Sequence, residues 1–332
     1  ILPGCAYIIG MWYKPSEAQV RFSFFFCSAS LAGIFGGLLA SAIGKMDGVR
    51  GYRGWRWIFI IEGLITSLAA ILIFKFAPPF PEDTLWLTSR EKSFLKKRQE
   101  FEQGVQLSEE RMTFPNIARV LRRPRVFLGG LMGFGISTAV YGYAYFAPTI
   151  IRGFHYSPIQ TQLRTVAPWT CSLIFSMLIA CISDLTKHRF LYTIALMSLS
   201  LAGYAINLCV HDNSKLQYGS LFLVVMGIFS AGPIIVCWFT MNLRGHLERS
   251  IGTAWQISFS NLGAILASYS FLPKEAPHYT KGYATCLGFL CFAISCCGIY
   301  AAIITSENKR SLRKISSSQS SETTIRAYKF LL

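Results

Sequence analysis

Charged side chains are scarce in this sequence, and acidic ones are the scarcest. Only 14% of the 332 residues are charged, whereas 52% are hydrophobic and the mean hydropathy is +0.42. Soluble domains carry about 25% charged residues, and here the apolar residues come in long blocks. Such blocks are typical of helices that cross a lipid bilayer. The composition therefore excludes an ordinary soluble protein and predicts an all-α polytopic membrane protein.

Grouped metal ligands are also missing from the sequence. The ten cysteines fall inside apolar runs and form no Cys-x-x-Cys pair, so we interpret them as small packing residues. The five histidines lie in predicted loops or at span ends, whereas membrane di-iron and haem enzymes need histidines clustered at depth. No nucleophile motif stands out. We expect no metal, no cofactor and no enzymatic activity.

Basic residues outnumber acidic ones, and their positions explain why. The formal net charge is +16, which on its own could indicate nucleic-acid binding. The lysines and arginines, however, sit in short loops between apolar runs, as the positive-inside rule for membrane proteins requires. We therefore expect a lipid bilayer, and not nucleic acid, as the partner of this surface.

Eight apolar runs are long enough to span a bilayer. They are Phe22–Gly44, Trp55–Ala77, Val126–Ile150, Thr161–Ser183, Phe190–Val210, Tyr218–Met241, Gly252–Leu272 and Gly282–Thr305. Ile1–Met11 is too short to span and lacks the charged start and cleavage site of a signal peptide, so we interpret it as the end of a helix that begins earlier. Residues 78–125 form a hydrophilic connector, in which Thr88 and Glu91 match a helix capping box. Residues 306–332 are predicted to be a disordered tail.

The distribution of basic residues predicts the orientation of the chain. Lysines and arginines number 23 on the side that holds the long connector and the tail, and nine on the other side. Cytoplasmic loops carry the excess of Lys and Arg. The connector and the tail are therefore predicted to be cytoplasmic.

Glu62 is the one acidic residue predicted deep inside a span. Counted from Trp55, it lies about 10–12 Å into a hydrocarbon layer of roughly 30 Å. A buried acid is costly in a membrane and is therefore a candidate for proton coupling. The alternative is an anchor between helices, and Arg56 is placed poorly to pair with Glu62 within the helix.

Several motifs stand out along the order of spans: Leu2–Gly4, Met11–Lys14, Gly54–Trp57 with Glu62–Gly63, Ser183–Arg189, Phe259–Gly263 and Ala276–Tyr279. Together with the order of spans, they resemble a major facilitator transporter of the fungal allantoate permease branch. In that superfamily, twelve helices form two halves around a central cavity, joined by a long cytoplasmic connector. The resemblance implies that this chain lacks helices one to three and most of helix four, that residues 1–77 complete the first half and that residues 126–305 form the second half. Ser260 departs from the pattern, because a glycine is expected before Asn261.

The resemblance implies a function as well as a fold. Members of that branch import small carboxylates together with protons, by alternating access. We expect the same of this chain, as a monomer in the plasma membrane whose partners are a small carboxylate and a proton. The alternative is a truncated remnant that does not transport and serves as a membrane sensor or interaction protein.

Helices seven and ten line the cavity in the superfamily, which makes four residues candidates for substrate binding. They are Tyr141 and Tyr145 at the end of the seventh helix, and Trp238 and Asn242 at the end of the tenth. An aromatic belt and a helix cap explain the same residues without a substrate. Arg164 is a fifth candidate because its guanidinium fits a carboxylate, although it could equally extend to the outer surface.

Gating or structural roles are expected for a last group of residues. Pro233, after Gly232, is predicted to bend its helix, and Asn261 is predicted to bond across helices. Asp184, Lys187 and Arg189 are expected to form a cytoplasmic latch between helices, because Ser183–Arg189 is similar to a short acidic-basic motif of the superfamily. Arg56 is assigned to an interfacial anchor with the neighbouring tryptophans.

Overall fold

A computed structural model describes residues 2–13, 17–76, 84, 86–103, 112–153, 158–210, 213–243, 245–275 and 278–317. Within these ranges every regular element is a helix and none is a β-strand. The α-helices are α1 (Leu2–Trp12), α2 (Ala18–Gly44), α3 (Gly54–Phe76), α4 (Ser89–Gln103), α5 (Phe114–Leu121), α6 (Pro124–Arg152), α7 (Pro158–Thr186), α8 (Arg189–Cys209), α9 (Ser214–Met241), α10 (Gly245–Ser270) and α11 (Thr280–Ser317). Two 3-10 turns lie at Val49–Gly51 and Pro273–Glu275.

All eight predicted spans form long helices. Seven of them, among the described residues, are long and apolar enough to cross a membrane by length and composition: α2, α3, α6, α7, α8, α9 and α11. Helix α10, which contains the predicted span Gly252–Leu272, is not among the seven. Its polar positions explain the difference, since Glu248 and Arg249 stand near its start and Gln256 and Asn261 stand in its middle.

Helix α9 lies at the centre of the main core. Val224, Val225 and Ile228 are fully buried there, and α9 packs against α6, α7 and α8. Small residues allow the helices to approach closely, as is usual in membranes. A Cβ at Gly263 of α10 would lie 2.9 Å from the carbonyl oxygen of Phe134 in α6. The backbones of α6 and α10 are therefore in direct contact at this point.

A second, smaller apolar cluster joins α1 and α2 to the other helices. It consists of buried residues from four helices: Ala6, Ala18, Phe22, Cys237, Met241 and Ile257. We call this set the end cluster. It connects the helices that precede the connector with α9 and α10, which follow it.

Turn residues that were predicted to share one side of the membrane do meet at one end of the helices. The Val20 N–H, at the start of α2, donates to Asp184 Oδ2 near the end of α7 at 3.0 Å. Arg125, at the start of α6, bonds Glu248 in α10 and Glu307 in α11. At the opposite end, the Tyr218 hydroxyl donates to the carbonyl oxygen of Arg164. The up-and-down order of the helices is thus as predicted.

The connector contains the predicted capping box. Thr88 N–H donates to Glu91 Oε2 at 2.8 Å, and the Glu91 N–H approaches Thr88 Oγ1 at 3.4 Å. The bond from the Thr88 backbone lowers the pKa of the Glu91 carboxyl below its ordinary value. Residues 78–83, 85 and 104–111 of the connector lie outside the described residues.

The predicted tail boundary is wrong. Helix α11 continues beyond residue 305 to Ser317, so residues 306–317 are helical. Glu307 in this extension forms an ion pair with Arg125 at 3.1 Å, and no glycine or proline interrupts the helix between residues 299 and 317. Residues 318–332, the rest of the predicted disordered tail, lie outside the described residues.

Candidate functional site

A cavity of about 400 Å³ lies between α2 on one side and α6, α7, α9 and α10 on the other. Its walls are mostly apolar, with five aromatic rings among the described lining residues. These rings belong to Phe25, Phe26, Tyr141, Trp169 and Phe229, and the polar groups belong to Ser28, Ser137, Tyr141, Ser260 and Asn261. None of the described lining residues is charged. The cavity is therefore suited to a small, largely apolar molecule with a few hydrogen-bonding groups.

One hydrogen bond crosses the cavity wall. The Tyr141 hydroxyl of α6 donates to Asn261 Oδ1 of α10 at 3.0 Å. The Tyr141 ring also packs against Tyr145, with ring centroids 5.5 Å apart. In the structure Asn261 therefore bonds across helices, from α10 to α6. Because both residues also line the cavity, this pair can present polar atoms to a bound molecule.

The cavity is closed at one end by the end cluster. Ile257 belongs both to the cavity lining and to the end cluster, so the two are continuous. Along the side of the cavity, α2 fits tightly onto α7. A Cβ at Gly33 would lie 2.5 Å from the ring of Trp169, and one at Gly37 would lie 2.4 Å from Gln162 Oε1. Glycine is thus needed at Gly33, where the Trp169 ring would have to move, whereas the flexible Gln162 side chain can move aside at Gly37.

Asp184 is placed to reinforce that closed end. Its Oδ2 atom accepts the Val20 N–H in the first turn of α2, where backbone donors lack partners within the helix. A negative charge at a helix N-terminus is also favourable. Arg189 lies 3.5 Å from Asp184 Oδ1 and donates from Nη1 to Cys237 Sγ at 3.1 Å. Lys187, in the turn between them, is exposed and has a φ of 60°. Asp184 and Arg189 therefore join α2, α7, α8 and α9 beside the end cluster.

Pro233 of α9 lines the cavity next to Gly232. Helix α9 nevertheless continues through both residues from Ser214 to Met241. Because proline has no N–H, the helix lacks one internal hydrogen bond at this level. This is a weak point of α9 at the cavity.

Four of the five substrate-binding candidates lie away from the cavity lining. Trp238 is fully buried in the core, where its ring meets Tyr300 edge-on at 4.8 Å, and Asn242 is also fully buried. Arg164 is exposed at the opposite end and holds its guanidinium over the ring of Tyr218 at 5.7 Å. Tyr145 is half-exposed and reaches the site only through its contact with Tyr141.

Glu62 lies on α3, which packs against α2 and is exposed along most of its length. Its side chain is partly buried, and among the described residues it has no hydrogen-bond or ionic partner. It does not line the described cavity. Arg56, at the start of the same helix, lies over the rings of Tyr52 and Trp55 at 5.7 Å and 5.5 Å. Arg56 thus makes cation–π contacts at the start of α3.

Two features were missed in the sequence. Glu248, which lies between two predicted spans, is buried at 4% exposure and bonds Arg123 and Arg125. Gln256 is fully buried beside the cavity. A signal existed for Gln256, because an amide inside an apolar span needs a hydrogen-bond partner.

Comparisons with known proteins agree with this architecture. Residues 1–268 match the family model of the Major Facilitator Superfamily. The chain is 29% identical to an uncharacterized transporter of Schizosaccharomyces pombe, over 86% of this chain and 57% of the relative. It is 24% identical to the high-affinity nicotinic acid transporter of Saccharomyces cerevisiae, over 89% of this chain and 54% of that protein.

A solved structure shows the same fold. The proton:xylose symporter XylE superposes with a TM-score of 0.59 at 16% identity, over 88% of this chain and 65% of XylE. The chain therefore spans less than two thirds of each of these three proteins. Together, the family match, the helical membrane fold and the cavity between helix groups establish that this chain belongs to the major facilitator superfamily.

Proposed function

We propose that the chain functions in secondary active transport, taking up a small organic anion together with a proton. The observation that carries this proposal is the cavity between α2 and the helices of the second half, closed at one end by the end cluster. Alternating access requires a cavity of this kind, because the substrate must be reachable from one side at a time. The cavity of about 400 Å³ falls within the range of ligand pockets.

The chemistry of the walls supports proton coupling. The described lining residues include no lysine or arginine to balance a carboxylate. Moving an unpaired carboxylate from water into apolar surroundings is very costly. A proton that travels with the anion removes this cost, because the pair is neutral. The nicotinic acid transporter named above carries an aromatic acid, which makes a ring-bearing carboxylate a reasonable first substrate to test.

Most of the candidate residues then have a role. Tyr141 and Asn261 contact the substrate from the cavity wall, and Glu62 exchanges the proton. Asp184, Lys187 and Arg189 form the latch at the closed end, and Pro233 gives α9 the freedom to bend during gating. Arg56 anchors α3, and Arg164 lies at the membrane surface.

We place the connector and the tail on the cytoplasmic side of the plasma membrane, with the transporter as a monomer. The side that holds the connector and the tail has 23 lysines and arginines and the other side has nine, which supports this orientation. The latch and the end cluster then lie at the cytoplasmic end, and the cavity is closed toward the cell interior.

An uptake assay tests the proposed function. The chain is expressed in yeast that lacks its own nicotinic acid transporter, with that transporter as positive control. A panel of radiolabelled carboxylates is supplied with and without a protonophore. We expect saturable uptake of at least one acid, abolished by the protonophore. Uptake that is unchanged by the protonophore would contradict proton coupling. Binding without uptake would instead favour a membrane sensor.

A further inference from the structure

The junction between α5 and α6 carries positive charge that the described residues balance only in part. Residues 112–125 hold four arginines and no acidic residue. The buried Arg125 and the 47% exposed Arg123 pair with acids of α10 and α11. Arg119 and Arg122 are exposed, and among the described residues their guanidinium groups have no hydrogen-bond or ionic partner. Two of the four arginines are therefore available to a ligand.

The end of α11 brings further positive charge to the same corner of the molecule. An open pocket of about 370 Å³ separates α11 from the start of α6, and it is lined by Arg123, Pro124, Arg125, Ile303 and Glu307. Arg310 stands three residues after Glu307 and seven after Ile303, so it lies on the same side of α11 as the pocket. It is exposed, and among the described residues its guanidinium has no partner either. One arginine with an available guanidinium, Arg122, thus lies directly before the lining residue Arg123, and another lies one helical turn beyond Glu307.

This corner has an excess of positive charge. Residues 112–125 and 303–310 contain six arginines and lysines and one acid, Glu307. Glu248 of α10, which pairs with two of the arginines, is the second acid here. Six positive and two negative charges leave a net charge of +4. The corner therefore favours an anion, and phosphate is a good fit because the planar guanidinium group matches its geometry.

Exposed apolar side chains beside the arginines favour a lipid phosphate over a soluble one. Phe114, in the first turn of α5, is 88% exposed, and Met112 is 62% exposed. Ile117 and Val120 of the same helix pack against the main core, so α5 lies along the surface of the protein. A helix with basic residues and exposed apolar side chains is suited to the headgroup region of a bilayer, where the cations reach phosphates and the apolar groups reach acyl chains. A soluble phosphate compound would leave Phe114 and Met112 in water.

We propose that this corner, formed by α5, the start of α6 and the end of α11, binds the phosphate headgroup of an anionic membrane lipid. Arg122 and Arg310 contact the phosphate beside Arg123, and Phe114 lies among the acyl chains. The site is distinct from the cavity, because none of the described lining residues belongs to both. That the lipid comes from the inner leaflet rests on the proposed orientation of the chain, whereas the binding itself does not rest on transport.

A lipid-binding titration tests this inference. The purified full chain in a neutral detergent is titrated with a fluorescent phosphatidylserine and, separately, with a phosphatidylcholine that carries the same fluorophore and acyl chains. Phosphatidylserine should bind more tightly. A basic residue near an anionic lipid surface contributes about 1 kcal/mol, which is about 5-fold in affinity. Arg122→Gln/Arg310→Gln should therefore weaken phosphatidylserine binding about 25-fold and change phosphatidylcholine binding less than about 2-fold.

Lys215→Gln/Lys274→Gln is the matched control. Both lysines are exposed, and they lie at the opposite end of the helices, at the start of α9 and after α10. This variant loses the same charge but should bind phosphatidylserine like the unmodified chain. Unchanged melting temperatures show that both double variants are folded. Should Arg122→Gln/Arg310→Gln unfold, the single variant Arg310→Gln is measured in its place, and its affinity for phosphatidylserine should fall about 5-fold.

Each possible result decides one part of the inference. Equal affinities for phosphatidylserine and phosphatidylcholine overturn the choice of an anionic lipid. Phosphatidylserine binding that is the same in the arginine variant and the lysine control overturns the location of the site. Glycerophosphoserine, which is the headgroup without acyl chains, should displace the fluorescent lipid poorly, because the acyl chains supply much of the affinity; displacement as strong as that by unlabelled phosphatidylserine makes a soluble phosphate the ligand and overturns the lipid. None of these measurements requires transport, so the uptake assay decides the proposed function separately.

Discussion

The carboxylate of Glu248 holds three helices together through two arginines. Its oxygens accept from Arg125 Nε at 3.0 Å and Nη2 at 2.9 Å, and from Arg123 Nη1 at 2.6 Å. Arg125 also reaches Glu307 at 3.1 Å. A buried charge of this kind is tolerated only while its partners remain in place.

Replacing Glu248 should therefore lower the stability of the protein far more than replacing Glu307. Glu248→Gln leaves the 8% exposed Arg125 without its main counter-charge, and breaking a buried pair costs about 3–5 kcal/mol. Glu307 is 38% exposed, and an exposed pair contributes about 0–1 kcal/mol. Thermal unfolding of both variants in detergent measures the difference. Equal melting temperatures would show that the network does not hold α6, α10 and α11 together.

Glu62 offers a test of proton coupling by a single substitution. Glutamine keeps the shape of the side chain but cannot release a proton, so Glu62→Gln should uncouple uptake from the proton gradient. We expect accumulation of the acid to fall to equilibration, with exchange of labelled for unlabelled acid retained. Proton-driven accumulation equal to that of the unmodified chain would assign Glu62 to the anchor alternative.

Helix contacts depend on glycine where two backbones touch. A Cβ at Gly263 would lie 2.8 Å from the Thr138 nitrogen and 2.9 Å from the Phe134 carbonyl oxygen. Backbone atoms cannot rotate away as a side chain can. The close contact between α6 and α10, which brings Tyr141 to Asn261, therefore requires glycine at this position.

Gly263→Ala should force α10 away from α6. Overpacking costs about 1–3 kcal/mol, so the melting temperature should fall and the Tyr141–Asn261 bond should weaken. Gly298→Ala in α11 is the control, because a Cβ there meets nothing within 4 Å and alanine favours helix by up to about 1 kcal/mol. If both variants melt like the unmodified chain, the α6–α10 contact is looser than the structure shows.

The helices themselves could be predicted from sequence, because the length of an apolar run decides whether it spans a bilayer. The capping box at Thr88 was also predictable, since it depends on residues three apart. The rotation of each helix about its own axis could not be predicted from the sequence. A run that is apolar on all sides gives no periodic face, so Tyr141, Pro233 and Asn261 reached the cavity whereas Trp238 and Asn242 were buried elsewhere. The end of α11 depends on the distant Arg125, which no local pattern reveals.

The two helix groups of the chain meet at the end cluster, and Asp184 links them by a bond to the backbone of α2. Cys237 lies in that cluster, fully buried, and accepts from Arg189. Its thiol is therefore a built-in reporter, because it can react with an alkylating reagent only when α2 moves away from α9. Cys297, fully buried in the main core on α11, should report unfolding instead of opening.

Asp184→Asn should make the closed end open more often. A hydrogen bond to a charged acceptor contributes about 1.5–3 kcal/mol, so loss of about 1.5 kcal/mol would raise the rate of Cys237 alkylation by a membrane-permeant maleimide roughly tenfold. Mass spectrometry of the labelled peptides distinguishes Cys237 from Cys297, whose rate should not change. Glu275→Gln, which removes the carboxylate that pairs with Lys281 at 2.6 Å near the opposite end, is the control and should leave Cys237 protected. Equal labelling of Cys237 in all three proteins would mean that Asp184 stabilises only its own turn, and that apolar packing alone keeps the cavity closed.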